Sequence, residues 1–246
     1  MSPPALRVDD AFADALRAGE SLPLARGVLE RYAFADTAFF VSLLRRAVPR
    51  ALLEAVAATA PWSQDARLLA AVVLSPRSTR ALGLRLVGSL YWRDLAEVAL
   101  SARVSVAVRV RAEGLLLEQF QDLRLGERIT LAKVATSAVL RRLVEEEDAR
   151  ICVAAIHNPR LREEDVVLAV RREFPNRVLL EELAASRRWG ENYAVRLALV
   201  LQPRTPVALA LAQITKLVPR DLRAVAEAPG LRGVVQRAAE RVAGPR

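Results

Sequence analysis

The chain has 246 residues, 53% hydrophobic and 26% charged, with one cysteine, one histidine and a formal net charge of +9. This composition supplies a core and argues against disorder. The lone cysteine and histidine exclude an internal disulfide, a CxxC pair, multi-cysteine metal or iron–sulfur sites and HExxH chemistry. Arginine outnumbers lysine, which occurs only at Lys133 and Lys216, as expected of a GC-rich bacterial genome, so the high pI overstates the case for nucleic acid. The surplus of charge is local: residues 187–246 carry eleven basic and four acidic groups, whereas residues 1–60 are balanced.

In chain order, residues 1–30 read as a divergent N-terminal cap. Their start, Met1–Asp10, lacks a basic region followed by an apolar core, so no secretory leader is expected. The apolar stretch Ala33–Leu44 contains Asp36 and falls short of the roughly 18 residues that cross a bilayer, so no membrane is expected and the cytoplasm is the default. Residues 50–101 then align without a gap on residues 177–228, an offset of 127 with 21 identities in 52 positions. Arg50-Ala-Leu-Leu-Glu54 lies over Arg177-Val-Leu-Leu-Glu181, Trp62 over Trp189, Pro76-Arg77 over Pro203-Arg204, and Arg93-Asp94-Leu95 over Arg220-Asp221-Leu222. Matched tryptophans, prolines and an Arg-Asp-Leu triplet do not follow from a bias toward Ala, Leu and Arg, so the chain reads as a tandem duplication.

Between the copies, a helix around Leu115–Phe120 gives way to a glycine break at Gly126 and a fresh helix start. Ala149–Ile156 and Ala194–Leu201 are short and almost wholly apolar, suited to burial between layers. Asn158-Pro159 and Gln202-Pro203 end such runs 44 residues apart, which suggests stacked helical hairpins with a period near 40. Thr205 is expected to cap the next helix, with Pro206 at its first position. The acidic Glu163–Asp165 suits a first turn, and residues 231–246 read as a closing helix and tail.

Ala149–Val170 and Ala194–Ile214 share a pattern of Val/Ala-Arg, apolar pairs, Asn/Gln-Pro and a Leu/Val-rich helix. This resembles the bacterial HEAT-like and leucine-rich repeat variant families. The resemblance implies a superhelix of helix pairs whose concave face binds other macromolecules, and it implies no single activity. The cysteine cluster that some leucine-rich repeat variants place ahead of their repeats is missing, so an iron–sulfur centre is not carried over. The expected fold is an all-α, right-handed α-solenoid of about six hairpins, one domain with repeat blocks at residues 31–126 and 127–230.

Trp62 and Trp189, equivalent by the repeat, read as packing anchors. Trp92 has Pro219 as its counterpart, so Tyr91 and Trp92 beside Arg93 and Asp94 are candidates for an exposed aromatic–basic site. Arg187, Arg188, Arg204, Lys216, Arg220 and Arg223 are candidates for a basic patch. Cys152 and His157 are five apart on one helix, so they do not share a face and read as a core thiol and a turn imidazole. Glu145–Asp148 reads as a solvated helix end. With no GxxxxGK[ST], GxGxxG or GxSxG, the expected function is a non-catalytic scaffold without metal or cofactor, binding a protein partner on the concave face. The alternatives are nucleic-acid binding through the basic last quarter, with or without base-repair chemistry, and self-assembly.

Overall fold

Local chemistry cuts the chain into many short helices. In a computed structural model, which describes residues 7–244, 71% of the described residues are helical and no strand occurs among them. The leader and tail readings on residues 1–6 and 245–246 lie outside them. The side chains of Asp36, Asp65, Thr79, Thr136, Asp148, Asn176, Ser186 and Asn192 each accept a backbone N–H at a helix start. Each so satisfies one donor that the first turn leaves unpaired.

The chain divides into two compact units, Met1–Leu123 and Arg124–Arg246. The first holds α1 (Val8–Ala18), α2 (Leu22–Arg31), α3 (Thr37–Leu44), α4 (Arg50–Ala58), α5 (Ala66–Leu74), α6 (Arg80–Leu86), α7 (Trp92–Leu100) and α8 (Val106–Gln119). Within it α1, α3, α5 and α7 form one row of neighbours, while α2 packs on α4 and α6 on α8. The second holds α9 (Leu125–Val134), α10 (Ser137–Leu143), α11 (Ala149–Ile156), α12 (Glu163–Arg171), α13 (Arg177–Ala185), α14 (Arg187–Gly190), α15 (Tyr193–Leu201), α16 (Val207–Ile214), α17 (Pro219–Glu227) and α18 (Gly233–Ala243). Here α10, α12, α15 and α17 form one row, and α9, α11 and α13 another, with α16 on α18.

Helices of the two units start at aligned positions. Arg50 and Arg177, Ala66 and Tyr193, Arg80 and Val207, Trp92 and Pro219, and Val106 and Gly233 open corresponding helices, each pair 127 apart. Along the second unit's first row, helix starts fall at Ser137, Glu163, Tyr193 and Pro219, a spacing of 26 to 30 residues rather than near 40. Helices of seven to nine residues and short turns complete a layer sooner. The 44-residue interval misleads because Asn158-Pro159 follows α11 and Gln202-Pro203 follows α15, helices of different rows.

Layers in the second unit are tied by buried polar side chains that reach back to the carbonyls of the preceding turn or helix end. Asn158 donates to the Ala132 carbonyl (2.9 Å) and accepts from the Arg160 N–H (2.9 Å). Gln202 donates to the carbonyls of Val170 and Arg172 and accepts from the Arg204 N–H. Asn176 donates to the Glu147 carbonyl, and the Trp189 indole N–H to the Ile156 carbonyl (3.0 Å). The acceptors are mostly the C-terminal carbonyls that a helix leaves unbonded. Thr205 is not the cap expected of it: α16 begins at Val207 with Pro206 as N-cap, and the buried Thr205 hydroxyl has no partner.

Gln202 and its aligned counterpart Ser75 differ in this respect, since the buried Ser75 hydroxyl has no partner. Gln202→Ala should therefore destabilise the second unit by about 1–3 kcal/mol, the cost of stranding buried carbonyls. Ser75→Ala should change stability by less than about 0.5 kcal/mol, because no bond is lost. Chemical denaturation of the two variants measures both.

Candidate functional site

The aromatic–basic pair divides between surface and core. Tyr91 is 52% exposed, but Trp92 is 1% exposed, so in place of the expected exposed pair stands a surface tyrosine beside a core anchor. Trp92 opens α7, and the helix buries Leu95, Ala96, Val98 and Ala99 with it. The Arg93 guanidinium lies 5.2 Å from the Trp92 ring centroid. Burial pushes the Asp94 carboxyl above its ordinary pKa, with Glu97 adding to the shift. Trp62 and Trp189 are both buried, Trp62 edge-on to Phe40 at 6.0 Å between centroids.

The six basic candidates differ in what they touch. Arg188 is structural: it donates to the carbonyls of Asn158 (3.1 Å), Pro159 (3.3 Å) and Leu161 (2.7 Å), and its guanidinium sits 4.1 Å from the Trp189 ring centroid. Arg187 beside it is solvated, 3.9 Å from the equally exposed Glu191. Arg204, on the turn into α16, covers the exposed Phe174 at 4.1 Å. Lys216 lies on the turn into α17, and Arg220 and Arg223 on the exposed side of α17. Among the described residues, none of these last four cations has a carboxylate within 4.0 Å.

The Cys152 thiol is buried and donates to the carbonyls of Val144 and Glu146. Burial pushes its pKa up to about 11, and nearby Glu146 and Asp148 add to the shift. His157 is exposed at the end of α11. The acidic run is divided among separate partners: Glu145 pairs with Arg172, Glu146 with Arg142 and Asp148 with Arg150. Among the described residues, no group of three or more His, Cys, Asp or Glu side chains is placed to hold a metal ion.

Sequence reasoning missed an exposed strip across the second unit. On α12, Leu168 is 57% exposed and Val167 half-buried; on α15, Tyr193 is 37% exposed and Ala194 half-buried, while Leu197 packs against the core that α15 shares with α16, α17 and α18. The strip residues lie opposite the buried sides formed by Val166, Ala169 and Val170 on α12 and by Val195, Ala198 and Leu199 on α15. The helices flanking them in the row are basic on their exposed sides, α10 through Arg141 and Arg142 and α17 through Arg220 and Arg223. Arg141 is anchored by Asp165, whose carboxylate is wholly buried (2.6 Å), and Tyr193 by a hydrogen bond to Asp221. A 3.6-residue pattern does not separate such positions from core, since leucine and valine occupy both. The signal available was a second apolar stripe on helices that already possess one.

Comparison of the chain with protein-family models, with curated proteins and with solved structures gives no significant match. No helix among the described residues is long and apolar enough to cross a membrane.

Two outcomes follow. Arg188→Ala should lower the stability of the second unit by about 1–3 kcal/mol by freeing three carbonyls, whereas Arg187→Ala should change it by less than about 0.5 kcal/mol; thermal and urea unfolding compare them. Because the native Cys152 pKa lies above the unfolded value of 9.0, its contribution to stability is full below about pH 9 and is lost as pH rises toward 11. The fall in thermal midpoint between pH 9 and 11 should therefore be steeper in the parent than in Cys152→Ala.

Proposed function

We propose that the chain is a non-catalytic interaction scaffold, a right-handed α-solenoid of HEAT-like hairpins that binds a protein partner on its concave side. A cytoplasmic location belongs to the same proposal. The observation that carries it is the strip on α12 and α15, where Leu168, Val167 and Tyr193 are solvent-accessible between arginine-bearing neighbours. An apolar centre with a charged border is how protein interfaces are built, with aromatic and aliphatic anchors inside a polar rim. Duplex recognition rests instead on an extended set of phosphate contacts. The basic border here suits a polypeptide with acidic residues beside its apolar anchor.

A second reading, nucleic-acid binding, draws on Arg204, Lys216, Arg220 and Arg223, which lack carboxylate partners among the described residues. The two readings separate with two variants. Leu168→Glu with Val167→Glu should weaken binding of a partner identified by in-cell crosslinking by more than about tenfold. It should leave any salt-sensitive retention on duplex DNA unchanged. Replacing the four cations by serine should abolish that DNA retention. Tight DNA binding with a steep salt slope, together with partner binding indifferent to the glutamates, overturns the protein reading.

A further inference from the structure

The two units carry corresponding clefts beside their equivalent tryptophans, and the clefts are filled differently. In the second unit the cleft is lined by Leu161, Glu164, Trp189 and Asn192, with a volume of about 490 Å³. The chain's own Arg188 also lines it, with its guanidinium over the Trp189 ring and donating to three turn carbonyls. In the first unit the aligned position is Pro61, which has no cation to offer. There the cleft is larger, about 630 Å³, and is lined by Ala35, Thr37, Phe40, Trp62 and Asp65. The framework is otherwise retained. Trp62 aligns with Trp189 and Asp65 with Asn192, and each of Asp65 and Asn192 caps its helix while bonding to the first turn of the preceding helix in the row. The Trp189 indole N–H is bonded to the Ile156 carbonyl (3.0 Å).

We infer that the cleft of the first unit receives an arginine side chain from a protein partner, in the place that Arg188 fills in the second. The chemistry fits a guanidinium: an aromatic wall for its flat face and the Asp65 carboxylate at the rim. Arg67, on the same rim, opposes an incoming cation, so a short arginine peptide binds weakly but saturably. This site lies wholly within the first unit and goes beyond the strip proposed above.

The test follows the side-chain indole resonances of the ¹⁵N-labelled full chain, assigned with Trp62→Phe and Trp189→Phe. The probes are the peptide acetyl-Gly-Arg-Gly-amide and its citrulline counterpart, which keeps the shape and removes the charge. The Trp62 resonance should shift saturably with the arginine peptide and at least fivefold more weakly with citrulline. Asp65→Asn, which installs the residue that already caps α15, should keep the fold and weaken binding at least threefold. Arg188→Ala should make the Trp189 resonance respond to the arginine peptide for the first time. The inference is overturned by a Trp62 resonance that does not respond, by equal responses to the two peptides, or by indifference to Asp65→Asn. A shift that grows with protein concentration without peptide overturns it as well, because the occupant is then a second copy of the chain.

Discussion

Short helices leave many backbone groups unpaired, and in the second unit the architecture depends on how those groups are satisfied. A helix of eight or nine residues has more orphan carbonyls and amides than internal bonds. Packing two such helices buries their ends, and a buried carbonyl without a donor costs more than a typical hydrogen bond returns. Asn158, Asn176, Arg188, Trp189 and Gln202 meet this constraint by donating to carbonyls one layer back. Apolar burial alone leaves neighbouring layers free to slide. A side-chain amide aimed at a particular carbonyl fixes their register, because a displacement of one residue strands both groups.

The helical class was legible in the sequence for the same reason. Apolar runs such as Ala149–Ile156, bounded by Asp148 and by Asn158-Pro159, carry their start and stop signals locally, and the helix there has those bounds. The offset of 127 was legible from rare residues, and helices in the two units begin at matched positions. The number of residues per layer was not legible. Prolines mark helix ends without saying which row the helix belongs to, and Asn158-Pro159 and Gln202-Pro203 terminate helices that do not stack on each other. Thr205 shows the same limit: its cap chemistry is correct, but its hydroxyl is buried away from the N–H it was expected to meet.

The candidate surface was legible in its charges and not in its apolar part. Arg220 and Arg223 are exposed as expected, and long charged side chains at a helix surface seldom go elsewhere. Trp92 and Arg188 went the other way. A tryptophan at a helix start can face core or solvent, and only packing decides; Arg188 is drawn to carbonyls that exist only once the turn of residues 158–161 has formed. Leu168 was invisible for the converse reason, since an exposed leucine is written like a buried one. The contrast between Pro61 and Arg188 stood in the alignment throughout, yet it acquires meaning only when both are seen beside an equivalent tryptophan.

The placement of Asn158 before a proline bears on how the protein ages. Asparagine normally deamidates when the nitrogen of the following residue, having lost its proton, attacks the side-chain carbonyl and closes a five-membered imide. Pro159 has no proton to lose on that nitrogen. Conversion of Asn158 to aspartate would replace the Nδ2 donor that serves the Ala132 carbonyl with a second acceptor, setting two oxygens against each other in a buried site. The residue that ends the helix thus also protects, chemically, the amide that holds the neighbouring layer in place, and this joint keeps its donor over the lifetime of the molecule.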